Sequence, residues 1–156
     1  MAFIKKASHG GGCIFCARKS RKSEKGDRKD LILYRGKHCF VLLNRYPYNN
    51  GHLMIVPYGH KSEISNLKPE TQCELIRLTG ESVRILKRAL KCQGANCGMN
   101  LGHVAGAGIA DHIHMHVVPR WQGDSNFMPI VGGAKSMPEY LKDTYEKLRP
   151  YFDKAI

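Results

Sequence analysis

The stretch that most constrains the fold is D-H-I-H-M-H-V-V-P-R-W at residues 111–121, in which histidines alternate with apolar residues. A period of two is typical of a β-strand with one face against a core. The histidines, which are His112, His114 and His116, would share one face, and the residues between them would pack on the other. Three imidazoles on one face indicate a metal site, a catalytic centre or a pH-sensitive surface.

The rest of the chain of 156 residues predicts a single domain with short strands and two helices. Apolar, β-branched runs between turn formers predict strands at residues 31–34, 37–44, 52–57, 98–101 and 113–119. Apolar spacing near 3.6 predicts a helix from about Pro69 to about Leu90, with Ser65 and Asn66 as caps. A second helix is predicted at residues 137–148. This order indicates an α+β fold with an antiparallel sheet.

The net charge of +12 favours an anionic partner, such as a phosphate-bearing ligand, a nucleic acid or an acidic surface. Much of this charge lies in residues 18–30, where mixed signs without periodicity predict a flexible, solvated loop; residues 122–136 are expected to form another loop. No aromatic residue is interleaved with the charges of residues 18–30, so a nucleic-acid contact is the less favoured alternative there.

Localisation is inferred from what the sequence lacks. No apolar run approaches the roughly 20 residues that span a bilayer, and the N-terminus has no apolar signal region. We therefore expect a cytoplasmic protein without a membrane partner. Six irregularly spaced cysteines in such a protein are predicted to be reduced thiols, and two of them are candidate metal ligands.

The histidine strand allows two kinds of chemistry. Same-face residues of a strand are about 6.6 Å apart, so two imidazoles plus other ligands would suit a tetrahedral ion better than all three. A neutral imidazole can also attack phosphorus and form a phosphoramidate, which divides one displacement into two steps. The glycine-rich residues 102–111 would bring backbone N–H groups close to phosphate oxygens.

The motif H-I-H-M-H-V-V resembles the signature of the histidine-triad (HIT) superfamily of nucleotide hydrolases and transferases. The resemblance extends over residues 13–121: C-I-F-C resembles an N-terminal element of bacterial members, and residues 42–60 resemble a strand–turn–strand with a fourth histidine. It implies a HIT-like fold of about five antiparallel strands and two helices. It also implies a homodimer that forms one continuous sheet.

The resemblance assigns roles to individual residues. His114 would be the nucleophile that attacks the α-phosphate and carries the nucleotidyl group, and His116 would contact the phosphate. His52 would hold the other ring nitrogen of the nucleophile in the right tautomer. Asn44 would bind the ribose hydroxyls, and Asn100 would be a phosphate ligand beside the glycine-rich loop.

The resemblance also suggests residues that would bind the base, and each of them has an alternative role in packing or at the surface. The apolar residues Ile14, Phe15 and Leu42 would sandwich a purine, or they would simply pack in the core. Trp121 would stack on a base or pack against the protein. Arg120 is the fixed positive charge nearest to the triad, or an ordinary surface arginine.

The C-x-x-C motif by itself indicates zinc, redox chemistry or chance, and a thioredoxin-like function would need a βαβ context that is not predicted here. In zinc-containing HIT proteins, a histidine after the third strand and the first triad histidine complete the site. The implied ligands of a structural zinc ion are Cys13, Cys16, His60 and His112, with His103 as the competing fourth ligand.

The sequence departs from the hydrolase branches of the family, which usually carry a Gln–Ser or Gln–Thr pair just before the triad. Gly108 and Ile109 stand there instead, and Gly106 precedes them. These three residues are candidates for nucleotide binding. The replacement, together with P-R-W-Q-G-D-S-N-F-M-P at residues 119–129, resembles the bacterial diadenosine-tetraphosphate (Ap4A) phosphorylase-like branch, in which inorganic phosphate is the acceptor.

The sequence thus predicts an enzyme that cleaves dinucleoside polyphosphates through a nucleotidyl-histidine, by phosphorolysis or hydrolysis. A nucleoside phosphoramidate or adenylyl-sulfate hydrolase is the alternative within the family. A zinc-stabilised nucleic-acid-binding module, which would use C-x-x-C and residues 18–30, is the alternative from another class.

Overall fold

The sheet has five antiparallel strands in the order β1-β2-β3-β5-β4. The computed structural model describes residues 12–19, 23–124 and 139–155. The strands are β1 (Ile32–Arg35), β2 (Cys39–Leu43), β3 (Leu53–Pro57), β4 (Gly94–Gly98) and β5 (Met115–Arg120). The α+β class and the antiparallel sheet predicted from the sequence are confirmed.

The described residues contain four α-helices, whereas the sequence predicted two. They are α1 (Ile14–Lys19), α2 (Glu24–Asp30), α3 (Pro69–Leu90) and α4 (Leu141–Ala155), and short 3₁₀ helices lie at Ile64–Asn66 and His103–Ala105. The two additional helices, α1 and α2, have only six and seven residues. Such short segments are not stable alone and carry little periodicity, so tertiary contacts decide their conformation.

Helix α3 was predicted at its observed position, but its caps were not. Pro69 occupies the first turn, while the N-cap residue is Lys68, which makes no side-chain capping bond. The predicted caps, Ser65 and Asn66, belong to the preceding 3₁₀ helix instead. The apolar face of α3 packs on the sheet through residues such as Leu75 and Leu78, and this burial outweighs the missing cap.

The predicted loop at residues 18–30 is wrong at both ends, because residues 18 and 19 belong to α1 and Glu24–Asp30 form α2. The Ser23 side chain accepts a hydrogen bond from the Gly26 N–H and caps the helix. The Asp27 carboxylate then pairs with the Arg35 guanidinium of β1 at 2.7 Å. The cap and this pair hold a charged segment in helical form. Of the second predicted loop, residues 122–124 are described and residues 125–136 lie outside the described residues.

Three element boundaries also differ from the prediction. The fourth strand is Gly94–Gly98 rather than residues 98–101, because it pairs with residues 116–120 of β5. The last strand begins at Met115, so His112 and His114 lie just before it. Helix α4 begins at Leu141 and extends to Ala155 through Pro150, whereas residues 137–148 were predicted; residues 137 and 138 lie outside the described part of the chain.

The sheet separates two apolar clusters. The larger one, between the sheet and helices α3 and α4, includes Ile113, Met115 and Val117 from the triad segment. The smaller one lies on the opposite face and includes Phe15 from α1 together with Phe40, Leu42, Met54 and Val56. The predicted alternation is therefore confirmed, since the apolar residues of the triad segment enter the main core.

Among the described residues, no helix combines the length and apolar character needed to cross a bilayer. The six cysteines are all free thiols.

Candidate active site and metal centre

The catalytic candidates meet where β3 lies beside β5. In this register Met54 pairs with His116, and His52 immediately precedes β3. The Nε2 atom of His52 lies 2.9 Å from Nδ1 of His116. His52 is fully buried, whereas His116 is half-buried. Strand pairing thus joins two histidines that are 64 positions apart in the chain.

The tautomer of His52 follows from its hydrogen bonds. Its Nδ1 accepts from the backbone N–H of Tyr48 at 3.1 Å and lies 3.3 Å from Nδ2 of Asn44. Because Nδ1 accepts, neutral His52 carries its proton on Nε2 and donates it to Nδ1 of His116. Neutral His116 then carries its own proton on Nε2, where it can donate to an anionic ligand.

His114 has the opposite tautomer. Its Nδ1 lies 2.9 Å from the backbone oxygen of His112, which can only accept, so Nδ1 carries the proton. Nε2 therefore keeps its lone pair and is the ring atom available to act as a nucleophile. The sequence assigned the role of holding Nδ1 to His52. That predicted contact is wrong, because His52 lies against His116, and Nδ1 of His114 donates to the His112 carbonyl instead.

Burial keeps the imidazoles neutral at pH 7. Removal from water, reinforced by the neighbouring histidines, lowers the pKa of His52 to about 3 and that of His116 to about 4. Burial also lowers the pKa of His114. The rings of His114 and His116 are 4.7 Å apart between centroids. A neutral ring with a lone pair on Nε2 thus lies beside a neutral ring that can donate a proton to a hydrogen bond.

The predicted metal ligands come together in one group. The ligand atoms of Cys13, Cys16, His60 and His112 all lie within 4.8 Å of one another. Nδ1 of His112 is 3.2 Å from Sγ of Cys13, 3.7 Å from Sγ of Cys16 and 3.2 Å from Nδ1 of His60. Tetrahedral zinc with two sulfur and two nitrogen ligands has ligand–ligand distances of about 3.3–3.8 Å, so the four residues fit zinc.

His112 is prepared for metal binding by its second ring nitrogen. Nε2 lies 2.9 Å from the Pro57 carbonyl oxygen, so it carries the proton and leaves the lone pair of Nδ1 toward the thiols. His103, the competing ligand in the sequence analysis, lies exposed in a 3₁₀ helix and is not in the group. Among the described residues, the geometry selects His112.

The nucleotide-binding candidates before the triad form one loop. The Asn100 side chain donates to the Gly106 carbonyl at 3.3 Å and so spans the loop rather than pointing away from it. Gly106 has φ +83°, a conformation that favours glycine. Gly108 is exposed, and Ile109 packs partly against the smaller apolar cluster. The loop therefore presents backbone rather than side-chain polar groups.

The apolar base-binding candidates are packed inside the protein. Phe15 and Leu42 have no exposed surface, which supports the core-packing alternative for both. Ile14 remains partly exposed. Trp121 packs against the main core, on the face of the sheet opposite to Phe15, so its ring contacts protein there. Arg120 pairs with Asp124 at 2.6 Å instead of lying as an isolated charge.

Tyr48 was missed in the sequence, and Phe15 was considered there only as a base contact or a core residue. Tyr48 bonds to His52 through its backbone and stacks on the same ring at 5.0 Å between centroids. Phe15 contacts the rings of both His112 and His114, at 5.3 Å and 5.1 Å. Its position between the two cysteines of C-I-F-C was the one signal that could have linked Phe15 to the metal ligands.

The comparisons with known proteins agree with this geometry. The HIT domain model matches residues 25–123. The chain is 47% identical over 118 residues to the AP-4-A phosphorylase of Mycobacterium tuberculosis, covering 76% of this chain and 60% of that protein. It is 32% identical over 133 residues to an uncharacterised HIT-like protein of Methanocaldococcus jannaschii, covering 84% of this chain and 97% of the relative. The chain thus spans less than two thirds of the phosphorylase.

Solved structures show the same fold. A zinc-bound histidine-triad family protein from Mycobacterium smegmatis superposes with a TM-score of 0.73 at 25% identity, over 92% of this chain and 94% of that one. A hypothetical histidine-triad nucleotide-binding protein from Sulfolobus tokodaii gives a TM-score of 0.71 at 25% identity, over 90% and 92% of the two chains. The family match, the fold and the arrangement of the triad lead to one conclusion: this chain belongs to the HIT family.

Proposed function

We propose that this protein is a nucleotidyl transferase or hydrolase that cleaves dinucleoside polyphosphates through a covalent nucleotidyl-His114 intermediate. The observation that carries the proposal is the pair of opposite tautomers at His114 and His116. One ring presents a lone pair on Nε2, and its neighbour presents a proton on Nε2. A nucleophile beside a hydrogen-bond donor is the arrangement required for displacement at a phosphate.

In the first step, Nε2 of His114 attacks the α-phosphorus, and the bond from phosphorus to the bridging oxygen breaks. With Ap4A as substrate, ATP leaves and AMP remains bonded to His114. The N–H of His116 donates to a phosphate oxygen and stabilises the charge that develops there. The ring of His114 becomes cationic, and its Nδ1–H bond to the His112 carbonyl strengthens as it does so.

In the second step, an acceptor oxygen attacks phosphorus and the P–N bond breaks. Because His114 is cationic in the adduct, it leaves as a neutral imidazole and regains its starting tautomer. Inorganic phosphate as acceptor would give ADP, and water would give AMP. Phosphate is the proposed acceptor, supported by the named phosphorylase relative and by Gly108 and Ile109, which replace the polar pair of the hydrolase branches.

The remaining site residues support these steps. Asn44 is proposed to bind the ribose, and the loop with Asn100 and Gly106 is proposed to bind phosphate oxygens through its backbone. Zinc on the Cys₂His₂ group, when bound, would supply structural rigidity rather than a reactive water, since all four positions are protein ligands. Its thiols must be reduced, in keeping with the predicted cytoplasmic location.

A homodimer is proposed as well, on the resemblance to the family. Strands β1 and β4 form the two edges of the five-stranded sheet, so one of them would join a second copy in a continuous sheet. Sedimentation velocity would test this proposal. A monomer at micromolar concentration would contradict it.

The nucleic-acid-binding alternative loses support in the described structure. Two cations of the basic segment are paired, Arg18 with Asp30 and Arg28 with Glu146, and Asp27 of the same segment pairs with Arg35 of β1. These pairs attach α2 to the rest of the protein. They leave fewer cations for a phosphate backbone than the sequence suggested.

The proposal is tested by mixing the protein with Ap4A, with and without phosphate, and separating the products. ATP plus ADP is expected with phosphate, and a rapid acid-free quench should trap a peptide heavier by one AMP at His114. His114→Ala should abolish both, whereas His38→Ala, in the turn between β1 and β2, should not. Absence of turnover of any nucleotide, together with tight, salt-dependent nucleic-acid binding, would overturn the proposal.

A further inference from the structure

Phe15 is the described side chain that contacts both the metal group and the nucleophile. It lies between Cys13 and Cys16 on α1, and its ring is fully buried. One edge-to-face contact joins it to the ring of His112 at 5.3 Å, and a tilted contact joins it to the ring of His114 at 5.1 Å. The same residue therefore contacts a proposed zinc ligand and the proposed nucleophile.

The position of Phe15 depends on how α1 is held. A helix of six residues has too few internal hydrogen bonds to form alone, so external contacts must fix it. At its N-terminal end the cysteines approach His60 and His112. At its C-terminal end the Arg35 guanidinium donates a hydrogen bond to the Arg18 carbonyl at 3.1 Å. Metal binding would therefore add an attachment at the N-terminal end of this helix.

The ring of His114 depends on contacts such as that with Phe15 because, among the described residues, only its Nδ1 has a hydrogen-bond partner. The bond from Nδ1 to the His112 carbonyl fixes one edge of the ring, so rotation about that bond is limited only by ring contacts, of which that with His116 is one. The Phe15 ring lies against the His114 ring and limits this rotation. A nucleophile that must align its lone pair with phosphorus loses rate steeply when its orientation varies.

We propose that Phe15 is a positioning residue through which zinc binding at C-I-F-C orients His114 for attack. This inference rests on the proposed function and deepens it, because it gives the structural metal a defined effect on the catalytic ring. It also separates Phe15 from the base-binding role that the family resemblance implied. A base contact would act on KM, whereas orientation of the nucleophile acts on kcat.

The test compares Phe15→Leu with Phe40→Leu in the zinc-loaded protein. Both residues are fully buried in the smaller apolar cluster, and both substitutions remove a ring from it. Phe40 stacks on Tyr58 and has no described ring contact with a histidine, so it is the matched control. Thermal unfolding and far-UV circular dichroism establish that each variant is folded, and Phe15→Met serves if Phe15→Leu is not.

We expect Phe15→Leu to lower kcat for Ap4A by roughly 10- to 100-fold while KM stays within about threefold. Zinc affinity, measured by competition with a chromogenic chelator, should stay within about tenfold of the parent. Phe40→Leu should change kcat by less than about threefold. A rise in KM alone would indicate base binding, and an unchanged kcat would indicate simple packing; either result would overturn the proposal.

A second readout does not require turnover. Long-range ¹H–¹⁵N spectra at a fixed pH report which ring nitrogen of His114 is protonated, and the zinc-loaded parent should show protonated Nδ1. Removal of zinc, or Phe15→Leu with zinc bound, should give mixed tautomers, while Phe40→Leu keeps the parent pattern. The parent pattern in all samples would refute the positioning role. If the parent turns over no nucleotide but shows these changes, the proposed function fails and the positioning role stands.

Discussion

The Nε2 atom of His52 and the Nδ1 atom of His116 are 2.9 Å apart, and the bonds on either side of this contact set its direction. The Tyr48 N–H donates to Nδ1 of His52, so the proton of neutral His52 is on Nε2 and is donated to Nδ1 of His116. The proton of neutral His116 is therefore on its own Nε2. This relay of hydrogen bonds from Tyr48 through His52 to His116 makes Nε2 of His116 a donor beside the ring of His114. Under the proposed mechanism, His52 would act on catalysis through His116.

His52→Gln tests the relay. The variant loses the ring that holds Nδ1 of His116, so His116 can adopt either tautomer and presents its donor for only part of the time. We expect kcat to fall by roughly 100-fold, since a misplaced catalytic group costs about that much. Steady-state kinetics with Ap4A provide the measurement. His38→Gln is the control for an ordinary histidine change, and equal rates for the two variants would contradict the relay.

The two low pKa values predict acid sensitivity. His52 and His116 have pKa values of about 3 and about 4 in the folded protein, against about 6.5 when unfolded. As the pH falls below 6.5, the unfolded chain binds two protons that the folded chain excludes. The free energy of unfolding should then fall by up to about 2.7 kcal/mol per pH unit, until the pH reaches the folded pKa values.

Urea unfolding at several pH values between 7.5 and 4.5 measures this slope. In His52→Gln the slope should be smaller by about one proton, or about 1.4 kcal/mol per pH unit. Identical slopes for the parent and the variant would show that His52 is not buried in its neutral form.

Metal removal should lower stability. A ligand at about 1,000 times its dissociation constant stabilises the folded state by about 4 kcal/mol. For a chain of this length, loss of that stabilisation lowers Tm by roughly 10 °C. A chelator or Cys16→Ser should have this effect, whereas Cys73→Ser, at an exposed position of α3, should not. Differential scanning calorimetry with metal analysis is the measurement, and a parent without bound zinc and without a chelator effect would refute the site.

Gly51, immediately before His52, should not tolerate a side chain. Its φ is +75°, and an added Cβ would lie 2.4 Å from Cδ1 of Leu90. We expect Gly51→Ala to lower the free energy of unfolding by about 2–4 kcal/mol, from backbone strain and overpacking together. Gly80→Ala is the control, because Gly80 lies within α3 with open space at its Cβ position. That change should stabilise the protein by about 0.5–1 kcal/mol, and chemical denaturation compares the two variants.

Local patterns in the sequence were sufficient for the main elements. Alternation around Met115 predicted which residues enter the core, and apolar spacing predicted the position of α3 along the chain. Both predictions work because burial of one face is repeated at short, regular intervals along the chain. Helix α2 lacks that repeat. It is held by the Asp27–Arg35 pair, which no local pattern reveals.

The sequence by itself determined which residue types were available for chemistry: alternating histidines for the triad segment and a C-x-x-C pair for a metal. Only the tertiary structure decided which nitrogen of each histidine is protonated and which keeps its lone pair. The three histidines have the same side chain but different hydrogen bonds. Nδ1 of His114 bonds to the His112 carbonyl, Nδ1 of His116 bonds to His52, and Nε2 of His112 bonds to the Pro57 carbonyl. A neutral imidazole has one proton and two nitrogens, so its partner in space, and not its place in the chain, decides which nitrogen is free to react.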